Sequence, residues 1–190
     1  RAYAQLGELF FPGELSLEPS QSYCSPVLYG ASTNNGLSEL SGCFHRYIRS
    51  HLTASRMAGK AKPVHFNTWE AMYFDLSLER LQALADSAAE LGVERFVLDD
   101  GWFKNRRSDS AGLGDWFVDK SIFPQGLSPL IDYVQAKGME FGLWVEPEMV
   151  NPDSDLYRAH PEWILHEADR VPPLWRHQLV LDIGHEGAFN

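Results

Sequence analysis

The stretch RFVLDDGWF, residues 95–103, passes abruptly from apolar side chains to two adjacent carboxylates, a glycine and two aromatic rings. Three consecutive large apolar residues are typical of a strand buried on both faces, the kind found in a parallel sheet covered by helices. Asp99 and Asp100 lose hydration at the end of such a strand, so each should have a hydrogen-bonding or charged partner. Gly101 allows a sharp bend directly after them. The stretch therefore predicts a buried strand that ends in a polar site.

The sequence on both sides of this strand repeats its organisation. Further strands are predicted over residues 64–69 and 139–145. The predicted helices between the strands begin at Ser77 and Ser128 and end at Gly92 and Gly138. This alternation is typical of a parallel α/β sheet, and the repeat is close to the roughly 30 residues per unit of a (β/α)8 TIM barrel. Residues 63–190 hold about the first three βα units, so we expect a partial barrel.

The segment before the barrel, residues 1–62, lacks this alternation of strands and helices. Apolar residues between positions 6 and 17 predict one or two strands that end at Pro19, as in the tail of a preceding β-rich domain. Helical spacing of apolar residues from Gly36 to Leu52 predicts an amphipathic linker helix. We therefore divide the chain into residues 1–62 and residues 63–190.

The residues after the third strand are less regular. A short helix is predicted to open at Asn151 with Pro152 and to stop before Pro161. Residues 179–183 are equally consistent with a strand and an extended loop.

Composition limits the classes of protein and partner. The chain has 190 residues, of which 44% are hydrophobic and 13% aromatic, so it is a folded protein with a sizeable core. Its formal net charge of -10 argues against nucleic acid and anionic membranes as partners. With only Cys24 and Cys43, and no signal-like segment or long apolar run, a reducing compartment such as the cytoplasm is expected. The chain begins without a methionine, so the sequence does not exclude a segment before Arg1.

The three predicted strands end in the same kinds of residue. These are Trp69 with Glu70, Asp99 with Asp100 and Trp102, and Trp144 with Glu146 and Glu148. The carboxyl ends of barrel strands form the catalytic face. Carboxylates beside tryptophans are typical of carbohydrate sites, whereas no phosphate loop, dinucleotide motif or metal-spaced histidine cluster is present. We expect a sugar-binding or glycosidase-like site without a cofactor or a metal ion.

Each of these residues also has a purely structural interpretation. Asp99 and Asp100 could cap a loop by accepting backbone N–H groups, although two successive acids exceed what a cap needs. Trp69 and Trp144 are as consistent with core packing as with stacking on a sugar.

Three further kinds of polar residue each allow a structural role. Glu146 and Glu148 fit an indirect role as well as direct contact with a ligand. Arg176, read alone, predicts a surface salt bridge. Asp115 is either a turn residue or a lid contact.

Several motifs together resemble glycoside hydrolase family 36, the bacterial and fungal α-galactosidases of raffinose and melibiose breakdown. They are HFNTWEAMYFD, ERFVLDDGWF, GLGDWFVDKSIFPQGL, GMEFGLWVEPEMV and LYRAHPEWIL, in this order. The segment YCSPVLYGASTNNGLSELSGCFHRYIRSHL is similar to that family's connection between a β-sandwich domain and the barrel. The resemblance implies a β-sandwich tail, a linker helix and the beginning of the catalytic barrel.

The resemblance also implies roles for individual residues. Asp99 and Asp100 match the acids that bind the C4 and C6 hydroxyls of the galactosyl group. Trp69 and Trp144 match residues that line the galactose pocket, and Arg176 matches one that reaches a substrate hydroxyl.

No residue of this chain matches the family's catalytic pair. The retaining reaction uses an Asp nucleophile in a Lys-Trp-Asp motif and a second Asp as acid/base. Both are expected beyond Asn190, so the chain alone is predicted to be inactive.

The resemblance predicts hydrolysis of terminal α-D-galactosyl residues from small raffinose- or melibiose-type oligosaccharides. Two alternatives stay open, a raffinose-synthase-like galactosyltransferase and a non-catalytic galactoside-binding remnant. A homo-oligomer of the full-length enzyme is also left open.

Overall fold

The computed structural model describes residues 3, 6–53, 59–167 and 170–189. Contacts between Cα atoms divide the chain into two units, Arg1–Ala61 and Lys62–Asn190. The predicted domain division falls beside this boundary, and the assignment of the first part to a β-rich domain stays a prediction.

In the first unit, the helix predicted over Gly36–Leu52 is confirmed, and its role as a linker stays a prediction. Helix α1 spans Gly36–Tyr47 and continues as a π-helical turn, Ile48–Leu52. The strands predicted before Pro19 are wrong, because residues 6–35 contain only turns and irregular backbone. A strand needs a neighbour to pair its backbone N–H and C=O groups, and the described residues of this unit include no strand that could be that neighbour.

The second unit is built on a three-stranded parallel sheet in the order β1-β2-β3. Its strands are β1, His65–Asn67, β2, Arg95–Leu98, and β3, Glu140–Leu143. Asn67 pairs with Val97 and Leu98 pairs with Leu143, so the three strands end at one edge. The predicted α/β class with a parallel sheet is confirmed, with strands shorter than predicted.

The first strand ends earlier than predicted. The Thr68 N–H donates to Val97 O at 3.1 Å, and the Trp69 N–H donates to Asn67 Oδ1 at 2.8 Å. The first bond is the last one of the sheet, and the second turns the chain away from it, so that the one-turn helix α2 spans Trp69–Met72. Trp69 therefore follows the strand but stays at the carboxyl edge of the sheet.

Two longer helices connect the strands. They are α3, Leu78–Glu90, and α4, Ser128–Ala136. Ser77 is the N-cap of α3 as predicted, since its Oγ accepts the Arg80 N–H at 3.3 Å. The prediction that Ser128 caps α4 is wrong. Leu127 O already accepts the Ile131 N–H at 3.0 Å, so Ser128 lies within the helix and Leu127 takes the N-cap position.

The core joins one face of the sheet to α3 and α4. Phe96 and Leu98 of β2 are fully buried, whereas Val97 between them is only half-buried. Successive side chains of a strand point to opposite faces, and the helices cover one of them. Burial of β2 on both faces is therefore not observed. The buried helix residues of this core are Leu81, Ala85, Ala88, Leu130 and Val134.

A small antiparallel ladder follows the main sheet. It consists of β4, Met149–Val150, and β5, Leu179–Val180, and the remaining elements are α5, Asp155–Ala159, a 3-10 turn, Pro161–Trp163, and α6, Glu186–Phe189. The helix predicted to open at Asn151 begins instead after Ser154, whose Oγ accepts the Tyr157 N–H at 3.0 Å. It ends before Pro161 as predicted. Within the described ranges, no helix is long and apolar enough to cross a bilayer.

Candidate functional site

The residues predicted to bind substrate all line one open cleft at the carboxyl edge of the sheet. The cleft has a volume of about 150 Å³. Its predicted members are Trp69, Asp99, Asp100, Trp144 and Arg176. The structure adds Arg106 and Gln178, and it places Glu146, whose role the sequence left open, in the same cleft. The acids follow β2, the tryptophans follow β1 and β3, and the arginine at position 176 precedes β5. Parallel strands ending in register bring the tryptophans and the acids together, and the antiparallel pair of β4 and β5 brings Arg176 to them.

Asp100 has a buried cationic partner, Arg106. Arg106 Nε donates to Asp100 Oδ1 at 2.9 Å, and Nη2 donates to Oδ2 at 2.7 Å. The two side chains are only 2% and 8% exposed. This bidentate pair balances the charge of the carboxylate and sets its orientation. Since each carboxylate oxygen has two lone pairs, Asp100 can still accept hydrogen bonds from a ligand hydroxyl.

Arg106 is held from several sides. Its Nη1 donates to Asn151 Oδ1 at 2.9 Å and to Ala111 O at 3.1 Å. Its Cζ atom lies 5.5 Å from the ring centroid of Phe74 and 5.8 Å from that of Phe103, which adds cation–π attraction. The guanidinium is therefore a fixed part of the site rather than a mobile surface charge.

Sequence reasoning did not identify Arg106 as part of the site. The available signal was that a buried acid needs a cation, and the loop after Asp100 supplies few. That loop closes on itself at Gly112, which has a φ of 81°. A Cβ there would lie 2.7 Å from Lys104 O, so only glycine permits this approach.

Asp99 is held by neutral partners. Its Oδ2 accepts a hydrogen bond from Asn67 Nδ2, and its Oδ1 accepts the Asp100 N–H at 2.7 Å. The Asp99 N–H donates to Thr68 Oγ1 at 3.0 Å. Asp99 therefore does cap its own loop, as one of the two interpretations predicted, whereas Asp100 pairs with a buried charge.

The two tryptophans flank the acids as partly buried rings. Trp69 packs edge-to-face on Phe74, with ring centroids 5.1 Å apart. Trp144 packs against Trp116 at 6.2 Å, and its backbone oxygen accepts the Trp102 Nε1–H at 2.9 Å. Neighbouring aromatic rings fix both side chains while part of each stays open to the cleft. Such rings suit stacking on an apolar sugar face.

Arg176 lies in a tight hairpin. Trp175 and Gln178 exchange backbone hydrogen bonds of 3.1 and 2.9 Å, which leaves two residues in the turn. Arg176 and His177 both have positive φ, 50° and 61°. Asn and Gly are the usual residues in such turns, and positive φ costs other residues about 1–3 kcal/mol. Asn151 Nδ2 donates to His177 O at 2.7 Å and holds the turn in place.

Glu146 is a third carboxyl group in the cleft. Burial raises the pKa of Glu146 above its ordinary value, the charge of Glu148 adds to the rise, and Arg176 and Arg106 oppose it. The folded protein therefore favours the protonated form of Glu146 more than the unfolded chain does.

Replacing Glu146 by glutamine is expected to stabilise the protein more at neutral than at acid pH. The wild-type protein loses stability as pH rises from about 4 through the raised pKa, because the charged carboxylate is disfavoured in the fold. The variant has no charge to acquire. Thermal midpoints of both proteins from pH 4 to 7 should diverge as pH increases. A difference that is constant, or that shrinks with pH, would contradict the burial of this group.

Asp115 takes a structural role. Its two oxygens accept the backbone N–H groups of Asp155 and Leu156, both at 2.9 Å. It is 2% exposed. This carboxylate caps helix α5, so its interpretation as a turn residue is favoured over a lid contact. Among the described residues, no three metal-ligating side chains cluster together.

Comparisons with known proteins point to one family. A family model described as Melibiase matches residues 22–190. An Escherichia coli α-galactosidase is 45% identical over 190 residues, which are 100% of this chain and 27% of that protein. The chain therefore spans about a quarter of the length of this curated relative.

Solved structures give the same result. The crystal structure of the GH36 α-galactosidase AgaB from Geobacillus stearothermophilus has a TM-score of 0.78 at 46% identity and covers 82% of this chain and 22% of that one. A variant of AgaA from the same organism, solved in complex with raffinose, has a TM-score of 0.78 at 44% identity, with the same coverage of 82% and 22%.

Proposed function

Since the chain belongs to the melibiase family, we propose that it forms part of the galactose pocket of a retaining α-galactosidase. The substrate class is terminal α-D-galactosyl residues of raffinose- and melibiose-type oligosaccharides. The observation that carries the proposal is the single cleft shared by Trp69, Asp99, Asp100, Trp144 and Arg176. The raffinose complex of the AgaA variant supports the same substrate class.

The chemistry of the cleft suits a neutral sugar. Asp100 and Asp99 are hydrogen-bond acceptors for ring hydroxyls, and Arg176 is a donor. Trp69 and Trp144 offer ring surface to the apolar face of the galactosyl group. Because Arg106 already balances the charge of Asp100, the pocket does not need a cationic ligand.

The two aspartates are proposed to bind the substrate and not to catalyse its cleavage. A retaining mechanism needs a nucleophile and an acid/base on opposite sides of the glycosidic bond, with carboxyl groups about 5 Å apart. Asp100 is hydrogen-bonded to Arg106. Asp99 is hydrogen-bonded to Asn67 and to the backbone of its own loop. We therefore propose that neither aspartate belongs to the catalytic pair.

At the finer level of the fold, we propose that residues 63–190 contribute the first three βα units of a (β/α)8 barrel. The parallel order β1-β2-β3 with helices between the strands supports this. Residues 1–62 then supply the end of a β-sandwich domain and the linker helix. We also propose a cytoplasmic location, in keeping with the low cysteine content.

The test is an assay of the protein expressed from the complete reading frame that encodes this chain. It should release p-nitrophenol from p-nitrophenyl α-D-galactoside and galactose from raffinose, and it should act far more weakly on the matching glucoside. The 190-residue chain expressed alone should not turn over either substrate.

Other outcomes would contradict the proposal. Robust turnover by the isolated chain would mean that the catalytic pair lies within it. Net synthesis of raffinose-type products, with little hydrolysis, would favour the galactosyltransferase. Galactoside binding by the complete protein without any turnover would favour the non-catalytic binding protein.

A further inference from the structure

We propose that Asn151 is a positioning residue of the cleft, because its single buried amide holds both Arg106 and the Arg176 hairpin. Its effect on substrate rests on the proposed function, whereas its effect on the two loops does not. Asn151 lies directly after β4 and is 0% exposed.

The Asn151 side chain uses its full hydrogen-bonding capacity. Oδ1 accepts bonds from Arg106 Nη1 and from the Leu113 N–H, both at 2.9 Å. Nδ2 donates to His177 O at 2.7 Å and to Asp109 O at 3.1 Å. An amide has two donors and two acceptor lone pairs, so no capacity is left for another role. The oxygen therefore holds only the loop after β2, whereas the nitrogen joins that loop, at Asp109 O, to the hairpin.

The oxygen of the Asn151 amide positions Asp100 through Arg106. Arg106 is bonded at Nη1 by Asn151 and presents Nε and Nη2 to Asp100. Because a guanidinium is planar and rigid, fixing one of its edges fixes the other. Asn151 thereby controls the direction in which the Asp100 carboxylate faces a ligand.

The nitrogen of the Asn151 amide positions Arg176 through His177. His177 and Arg176 share the unfavourable positive-φ turn, and the Asn151 bond to His177 O holds it. The antiparallel ladder supports the same geometry, since Val150 pairs with Leu179 just after the hairpin. Asn151 thereby controls where the Arg176 guanidinium enters the cleft.

Two substitutions separate these branches. Asn151→Asp keeps oxygen acceptors for Arg106 and the Leu113 N–H but removes both donors, which leaves an oxygen facing His177 O and Asp109 O. Asn151→Ala removes both branches. The first variant should loosen the hairpin and the contact at Asp109 O while it keeps the Leu113 bond, and the second should loosen both loops throughout.

Hydrogen exchange read by mass spectrometry tests the structural half without any activity assay. The Leu113 N–H reports the oxygen branch, and the Trp175 and Gln178 N–H groups report the hairpin. In the protein from the complete reading frame, Asn151→Asp should speed exchange in the 174–178 peptide at least tenfold and leave the 111–115 peptide within twofold. Asn151→Ala should speed both. Equal effects of Asn151→Asp on the two peptides, or no effect on either, would overturn the proposal.

Kinetics test the consequence for substrate. Asn151→Ala should lower kcat/KM for p-nitrophenyl α-D-galactoside at least tenfold, mainly through a higher KM. In an Arg176→Ala background, Asn151→Asp should lower kcat/KM by less than a further twofold, because the hairpin branch acts through Arg176. If Asn151→Asp lowered kcat/KM by the same factor with and without Arg176→Ala, or if Asn151→Ala left KM unchanged, the positioning role would be overturned.

A matched control excludes general destabilisation. Ser77→Ala removes the N-cap of α3 outside the cleft and should lower the thermal midpoint without changing KM or either exchange rate. If the wild-type protein lacks α-galactosidase activity, the proposed function fails while the exchange experiment still decides the role of Asn151.

Discussion

Replacing Arg106 by methionine is expected to lower the free energy of unfolding by about 3–5 kcal/mol, because it leaves the Asp100 carboxylate buried without its partner. The pair is joined by hydrogen bonds of 2.9 and 2.7 Å and is almost excluded from water. Methionine fills much of the same space, so lost packing contributes little. The midpoint of thermal unfolding should fall on the order of 10 °C.

Two further variants show whether charge pairing is the cause. Arg107→Met is the matched control, since Arg107 is 40% exposed and its ion pair with Asp119 spans 3.3 Å. Because Arg107 is partly exposed to water whereas Arg106 is not, its replacement should cost less stability. The double variant Arg106→Met with Asp100→Leu should recover most of the lost stability, because no unpaired charge then remains. Equal destabilisation by the Arg106 and Arg107 variants would contradict the role of burial.

Replacing Asp100 by asparagine is expected to lower kcat/KM for an α-galactoside about a hundredfold. A hydrogen bond from a sugar hydroxyl to a charged acceptor contributes about 1.5–3 kcal/mol, and the variant also leaves Arg106 without its counter-charge. The loss should be smaller for substrates that lack the hydroxyl that Asp100 binds. Steady-state kinetics with p-nitrophenyl α-D-galactoside, the α-D-glucoside and the β-L-arabinopyranoside measure this loss of discrimination.

Asp115→Asn is the matched control for this experiment. Asp115 is as deeply buried but caps α5 outside the cleft. Its replacement should reduce stability and leave the ratio of kcat/KM values between the sugars unchanged. If Asp100→Asn kept full selectivity and accumulated a covalent glycosyl intermediate, Asp100 would be a catalytic residue and its assignment to recognition would be wrong.

The fold class and much of the cleft could be predicted from local sequence. An apolar run such as 96–98, a cap such as Ser77 and the breaker Gly92 each act within a few residues, so they can be identified without knowing the rest of the fold. The positions of Trp69, Asp99 and Trp144 followed from one rule, that parallel strands end at the same edge. The length of β1 was mispredicted because the Asn67 side chain accepts the Trp69 N–H and ends the strand. The cap of α4 was mispredicted because Leu127 O already takes part in the helical bonds.

Local sequence was enough to place Trp69, Asp99, Asp100 and Trp144 at one edge of the sheet. The partners that hold these side chains became known from the folded structure. Arg106 and Asn151 carry no local pattern, because their bonds join positions 45 residues apart. The charge of Asp100 needed a partner on physical grounds, but the identity of that partner depends on how the loop after β2 folds back onto the end of β4. That folding is set by long-range contacts, which a single sequence does not record.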